Sequence, residues 1–162
     1  MNVNPVTHDL TARLAAKRVG ALGNGVKVKI CGVRNIESAS IAMEAGADFI
    51  GLQFVPSSKR VIDRSAAKEI SNNLKGKVNL VGVFKNQSLR EVNKISYEIN
   101  LDYAQLHGSE DEVFCKNVAV PVIKAFGLKA SFDPKETAQY MKTYHVKYYL
   151  IDREKRGEGD IR

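Results

Sequence analysis

The sequence predicts an α/β fold built on one parallel sheet, and three observations carry that prediction. Six short apolar runs rich in Val, Ile, Leu, Tyr and Phe alternate with stretches whose apolar residues recur at helical spacing. No two runs are joined by a hairpin turn signal, so each strand needs a crossover helix to reach its neighbour. Residues 26–147 hold five such strand–helix units, a period of about 24 residues with no repeat in the sequence itself. Two parallel designs share this pattern, an eight-stranded barrel and an open doubly wound sheet. Five units plus a strand complete an open sheet, whereas eight units need about 195 residues, close to the roughly 200-residue lower limit for barrels. Composition and periodicity leave that choice open.

In chain order, the first strand is expected over residues 26–30, within VKVKICG. Asn35 then caps a helix carrying Ile36, Ala39, Ala42 and Met43 on one side, and Gly46 closes it. Strand two is ADFIGLQF, residues 47–54. After the loop VPSSKR, Ser65 is expected to start a helix with Ala66, Ala67, Ile70 and Leu74 on its buried side. Strand three is NLVGVF, residues 79–84. Ser88 with Glu91 has the spacing of a capping box, and Leu89, Val92 and Ile95 form the stripe of the helix that follows. Strand four is residues 103–107, and Ser109 with Glu112 repeats the capping-box spacing. Strand five is residues 121–126. Asp133, Pro134 and Glu136 supply a cap, a first-turn proline and an acid for helix five. Strand six is residues 148–152, followed by REKRGEGDIR.

Composition narrows the function classes. The chain has 162 residues, 44% hydrophobic and 27% charged, an ordinary balance for one globular domain. The net charge of +7 invites an anionic partner, but the basic residues are scattered, Trp is absent and the aromatics do not alternate with Lys or Arg. A solvated basic surface or a small anionic substrate fits this better than nucleic acid. Cys31 and Cys115 lack CxxC spacing and are too few for a disulfide framework, which fits a reducing cytosol and gives no metal-ligand pattern. No run approaches the roughly 18 apolar residues of a membrane span. Residues 1–25 read as a flexible extension ending in Gly-Asn-Gly. Within them residues 10–19 form a basic amphipathic piece, so an organelle transit peptide is the alternative.

Ligands of parallel α/β folds bind at the carboxyl ends of the strands, so residues there are the candidates. Strand parity puts Lys27, Lys29 and Cys31 on one face and Val28 and Ile30 on the other. In a barrel the valine and isoleucine would face the helices. A buried Lys29 would need a partner anion, and an ammonium beside Cys31 would make the thiol a candidate base or nucleophile. The plain alternative for Cys31 is a small buried hydrophobe. Arg60, on the loop after strand two, has the planar fork that suits a carboxylate or phosphate, or is simply solvated. Gln105 and His107 share a face at the end of strand four, where the imidazole either titrates or is a satisfied structural group. Asp152 ends strand six after an apolar run and is a candidate general acid or a solvated turn residue. Cys115, in DEVFCKNV, reads as core.

The order KICG, GADFIGLQF with SSKR, VGVF, QLHG and LID resembles the phosphoribosylanthranilate isomerase family over residues 27 to 152. That resemblance implies a (β/α)8 TIM barrel and an Amadori rearrangement in tryptophan biosynthesis, with no cofactor or metal. It implies that Cys31 is the general base at C2′ and Asp152 the general acid at the ring oxygen. Arg60 would hold the anthranilate carboxylate, with His107 and Gln105 lining the same pocket. The implied partner is a small anionic phosphosugar, in the cytoplasm, with neither nucleic acid nor membrane, and a fused or neighbouring tryptophan-pathway enzyme is a further candidate.

Two departures accompany the resemblance. RGEG stands where the family has a GGTG-like loop, so Arg156 and Glu158 replace small residues. Residues 26–162 also fall about 58 short of eight units, leaving about six strands and five helices of an incomplete barrel domain. From this the chain reads as C-terminally incomplete. The expectation is open edges at strands one and six, low stability, aggregation and little or no turnover. The alternatives are an inactive fragment that assembles with a complementary piece and another phosphosugar-binding barrel enzyme.

Overall fold

The computed structural model describes residues 25–128 and 132–153. Six strands form one parallel sheet: β1 (Lys29–Cys31), β2 (Phe49–Gln53), β3 (Asn79–Phe84), β4 (Tyr103–Leu106), β5 (Val122–Leu128) and β6 (Tyr148–Arg153). Five helices lie between them: α1 (Ile36–Glu44), α2 (Arg64–Leu74), α3 (Leu89–Glu98), α4 (Glu112–Lys116) and α5 (Pro134–Lys142). The sheet order is β1-β2-β3-β4-β5-β6. A doubly wound sheet reverses its strand order at a switch point, whereas a barrel adds each strand beside the last. The sequential order therefore decides the choice that periodicity left open, in favour of the barrel. The predicted N-terminal extension, apart from Gly25, and the RGEG loop lie outside the described residues.

Local chemistry sets the element boundaries. Asn35, Ser88 and Asp133 cap their helices as expected, each accepting a backbone N–H through its side-chain oxygen. Gly46 ends the first helix with φ +89, a conformation that costs glycine little. Two caps differ from expectation. Asp63, not Ser65, caps α2, its carboxylate accepting the N–H groups of Ser65 and Ala66. Asp111, not Ser109, caps α4 by accepting from Phe114 N at 2.7 Å. In both places an anion displaces a neighbouring serine, because a carboxylate answers the positive helix terminus with full charge.

Strand one also starts later than expected. The Val28 N–H is taken by the Asp48 carboxylate at 2.7 Å, so ladder pairing begins at Lys29. Asp102 plays the matching part for β3, accepting Leu80 N at 2.8 Å while paired with Lys75 Nζ at 2.6 Å. Both acids precede a strand and tie the amino-terminal edge of the sheet.

The two faces of the sheet differ. Between sheet and helices lies the main core, in which Ile50, Leu52, Leu80, Phe84, Ala39, Ala67, Ile70, Val92 and Ile95 are buried together. Burying each large aliphatic contributes about 1.5–3 kcal/mol. The opposite, concave-side face holds a smaller cluster of Phe49, Val81 and Ile123 with Tyr103 and Leu150 against it. Rings of Phe49, Tyr103 and Tyr148 meet there at centroid distances of 5.7–6.1 Å. The outward side chains of β1 are a correction to the reading that helices cover them. Val28 and Ile30 are 40% and 43% exposed, because α1 packs on β2 and α2 rather than over β1. At the other edge Ile151 of β6 is 62% exposed.

Candidate active site

The strand ends bring Cys31, Arg60, Gln105, His107 and Asp152 to the carboxyl edge of the sheet. β1 stops at Cys31 because Gly32 turns the chain with φ +86, and the Gly32 and Val33 N–H groups donate to the Gly51 carbonyl. Gly32 also gives room to an arginine. A Cβ on it would stand 2.7 Å from Arg60 Cδ, and the guanidinium Nη1 donates to the Cys31 carbonyl at 3.1 Å. The loop arginine is thus laid across the turn that carries the cysteine. Gly51, the neighbour of Cys31 in the ladder, does similar work beneath it. A Cβ there would meet Cys31 Sγ at 2.8 Å and Lys29 Nζ at 3.2 Å, so the missing side chain is what lets both project inward.

Among the described residues Lys29 has no anionic partner. Its Nζ donates to Gln105 Oε1 at 2.7 Å, a neutral amide in place of the expected anion. Gln105 Nε2 in turn lies 3.1 Å from His107 Nδ1, and His107 Nε2 lies 3.3 Å from Asp152 Oδ2. One line of polar contacts therefore crosses the inner face, hydrogen-bonded from β1 to β4 and reaching β6 through the His107–Asp152 contact. Burial pushes the His107 pKa below its ordinary 6.5; the Asp152 carboxylate pulls it back up, while the charges of Lys124 and Lys29 lower it further. Burial and the two lysines thus favour the neutral imidazole.

Sequence reading missed the pair that holds these loops. Lys124 and Glu110 are each about 3% exposed at their side chains, with Nζ 3.4 Å from Oε2. Glu110 also accepts Asn86 N at 2.7 Å and Gly108 N at 2.8 Å, and Lys124 donates to the Gly108 carbonyl at 2.8 Å. A single carboxylate so fastens the loops after β3 and β4 to β5, immediately behind His107. The signal was a lysine inside the apolar run VIKAF, a position that calls for a buried counter-charge. Gln53, at the end of β2, carries a buried Oε1 with no hydrogen-bond partner among the described residues. Cys115 is core as predicted, and burial pushes its thiol up to about 11.

A thiol on the first strand, a carboxylate on the sixth and a guanidinium bonded to the cysteine's carbonyl make a constellation suited to proton transfer on a small anion. Among the described residues no group of three His, Cys, Asp or Glu side chains is placed to hold a metal ion, and no helix is long and apolar enough to cross a membrane.

Comparison with known proteins bears on this arrangement. The sequence profile of N-(5′-phosphoribosyl)anthranilate (PRA) isomerase matches residues 28–161. The N-(5′-phosphoribosyl)anthranilate isomerase of Thermotoga neapolitana is 43% identical over 119 residues, covering 72% of this chain and 58% of the relative. The crystal structure of the Thermus thermophilus phosphoribosyl anthranilate isomerase superposes with a TM-score of 0.72 at 36% identity, covering 82% of this chain and 65% of that one. A phosphoribosyl anthranilate isomerase crystallised with reduced 1-(o-carboxyphenylamino)-1-deoxyribulose 5-phosphate gives a TM-score of 0.70 at 35% identity, over 80% and 66% of the two chains. The chain thus spans about 58% of the length of the Thermotoga neapolitana relative and under two thirds of these structures.

Proposed function

The chain belongs to the N-(5′-phosphoribosyl)anthranilate isomerase family, and we propose that its concave mouth carries the acid and base of that isomerisation in tryptophan biosynthesis. The substrate is N-(5-phosphoribosyl)anthranilate and the product 1-(2-carboxyphenylamino)-1-deoxyribulose 5-phosphate. The observation that carries the reading is the convergence of Cys31, Arg60, Gln105, His107 and Asp152 on one strand-end edge, with Arg60 bonded to the backbone of Cys31.

In this reading Asp152 gives its proton to the furanose ring oxygen. The C1′–O bond breaks as the anilino nitrogen lone pair forms the C1′=N bond of a Schiff base. The Cys31 sulfur then takes the C2′ proton, the electron pair moves toward the iminium, and an enolamine results. Its ketonisation, with protonation at C1′, yields the aminoketose. Each step moves a proton and an electron pair within one substrate. Arg60 pairs with the anthranilate carboxylate, and His107 and Gln105 line the pocket. The phosphate in such barrels commonly rests on the loops after strands seven and eight, so we assign its binding to strand–helix units beyond the six strands described here. A complementary two-unit segment is therefore part of the proposed active species, working in the cytoplasm.

The test joins the 162-residue chain to the last two strand–helix units of a family relative and follows loss of phosphoribosylanthranilate fluorescence. Turnover by the joined protein supports the reading. Concentration-dependent assembly with substrate bound but unconverted contradicts it and favours a non-enzymatic half-barrel.

A further inference from the structure

The line of polar contacts from β1 to β6 contains its own direction. A lysine ammonium has three donors and no acceptor, so the group it meets at 2.7 Å on Gln105 must be the amide oxygen. The reversed amide would set N–H against N–H. With the oxygen taken, only the amide nitrogen faces His107, at 3.1 Å from Nδ1. That nitrogen is a donor, so Nδ1 must be an acceptor. A neutral imidazole whose Nδ1 accepts carries its hydrogen on Nε2, and Nε2 is the atom 3.3 Å from Asp152 Oδ2.

We propose that Lys29 is a positioning residue that, by gripping Gln105 Oε1, locks His107 in the neutral Nε2–H tautomer facing Asp152. The lock has a chemical use that rests on the proposed role of Asp152 as the acid. An unperturbed imidazole is more basic than an unperturbed aspartate by more than two pKa units, so a histidine with an open nitrogen would draw the proton from a protonated Asp152. Here the nitrogen that faces the acid already bears hydrogen, and its partner nitrogen is closed by the amide. Protonating His107 would set Nδ1–H against the amide N–H groups. The charged groups around the ring act on the same balance: Lys29 from β1 and Lys124 from β5 oppose the imidazolium, while Asp152 from β6 favours it. The proton of the acid is thereby directed to substrate rather than to its neighbour.

The tautomer is read directly by two-bond ¹⁵N–¹H correlation spectra of the 162-residue chain labelled at histidine. Expected at pH 7.5 is a neutral His107 with the hydrogen on Nε2. Lys29→Met frees the amide to turn and should move the tautomer ratio at least about tenfold toward Nδ1–H, whereas Lys29→Arg, another donor-only cation, keeps the parent pattern. Gln105→Glu offers an acceptor to Nδ1 and should raise the His107 titration midpoint by about one unit or more. The proposal is overturned by an Nδ1–H tautomer in the parent chain or by an unchanged pattern in Lys29→Met. Should Lys29→Met not fold, the parent tautomer and the Gln105→Glu midpoint decide, an unmoved midpoint counting against the lock. None of these readouts needs turnover, so they stand or fall apart from the isomerase reading.

Discussion

On the helix side of the sheet, Ile50, Leu52, Leu80 and Phe84 pack against Ala39, Ala67, Ile70, Val92 and Ile95 in one continuous apolar core. On the other side the buried hydrophobics are Phe49, Val81 and Ile123, and above them the lining turns to Lys29, Gln105, His107 and Asp152. The first face is nonspecific chemistry with tight packing, and the second is specific chemistry with little packing. Continuous apolar packing and the polar candidate-site residues thus lie on opposite faces of the same strands, alternate residues belonging to one or the other. The Glu110–Lys124 pair is the joint between them, its carboxylate tying the loops after β3 and β4 to β5.

Substitutions that empty the helix-side core should have the largest effect on stability. Phe84→Ala removes a fully buried ring stacked on Phe54 at 5.5 Å and is expected to cost about 3–5 kcal/mol. Lys29→Met on the inner face removes one charge-assisted hydrogen bond and should cost about 1.5–3 kcal/mol. Urea denaturation of both variants checks the contrast, and a larger loss for Lys29→Met would break it. Lys124→Met strands a buried carboxylate and should cost about 3–5 kcal/mol, most of it recovered when Glu110→Gln is added. If the double variant is no more stable than the single one, the pair is not the joint described.

The pH dependence of stability gives a smaller and finer test. The folded pKa of His107 lies below its unfolded 6.5, so between those values the unfolded chain binds more protons. Stability is therefore complete above 6.5 and falls as the pH drops through 6.5 toward the folded value. Denaturation curves from pH 8 to 5 should show the parent losing stability relative to His107→Gln in that acid window. A parent that gained stability on acidification would mean that the Asp152 contact outweighs burial and the two lysines.

Much of the fold was legible because strand–helix alternation, helix caps and apolar spacing are local properties. Asn35, Ser88 and Asp133 were read correctly from their immediate neighbours. The misreadings came where a distant or competing group intervened. Asp48 shortens β1 from 20 residues away, and Asp63 and Asp111 outcompete the nearby serines. The choice of barrel over doubly wound sheet lay in strand order, which pattern alone does not encode and the KICG, SSKR, QLHG and LID resemblance implied. The site residues were legible as strand-end positions, but their connections were not. That Lys29 meets an amide 76 positions away, and that Glu110 closes on Lys124, are facts of three-dimensional register.

The most direct test of the central claim is turnover of phosphoribosylanthranilate by the joined protein carrying Cys31→Ala or Asp152→Asn, alongside binding of the reduced product analogue. The account predicts a loss of about 10²–10⁴-fold in turnover for each variant, with analogue affinity and melting temperature close to those of the parent. Near-parent turnover in either variant would contradict the assignment of base to Cys31 or acid to Asp152.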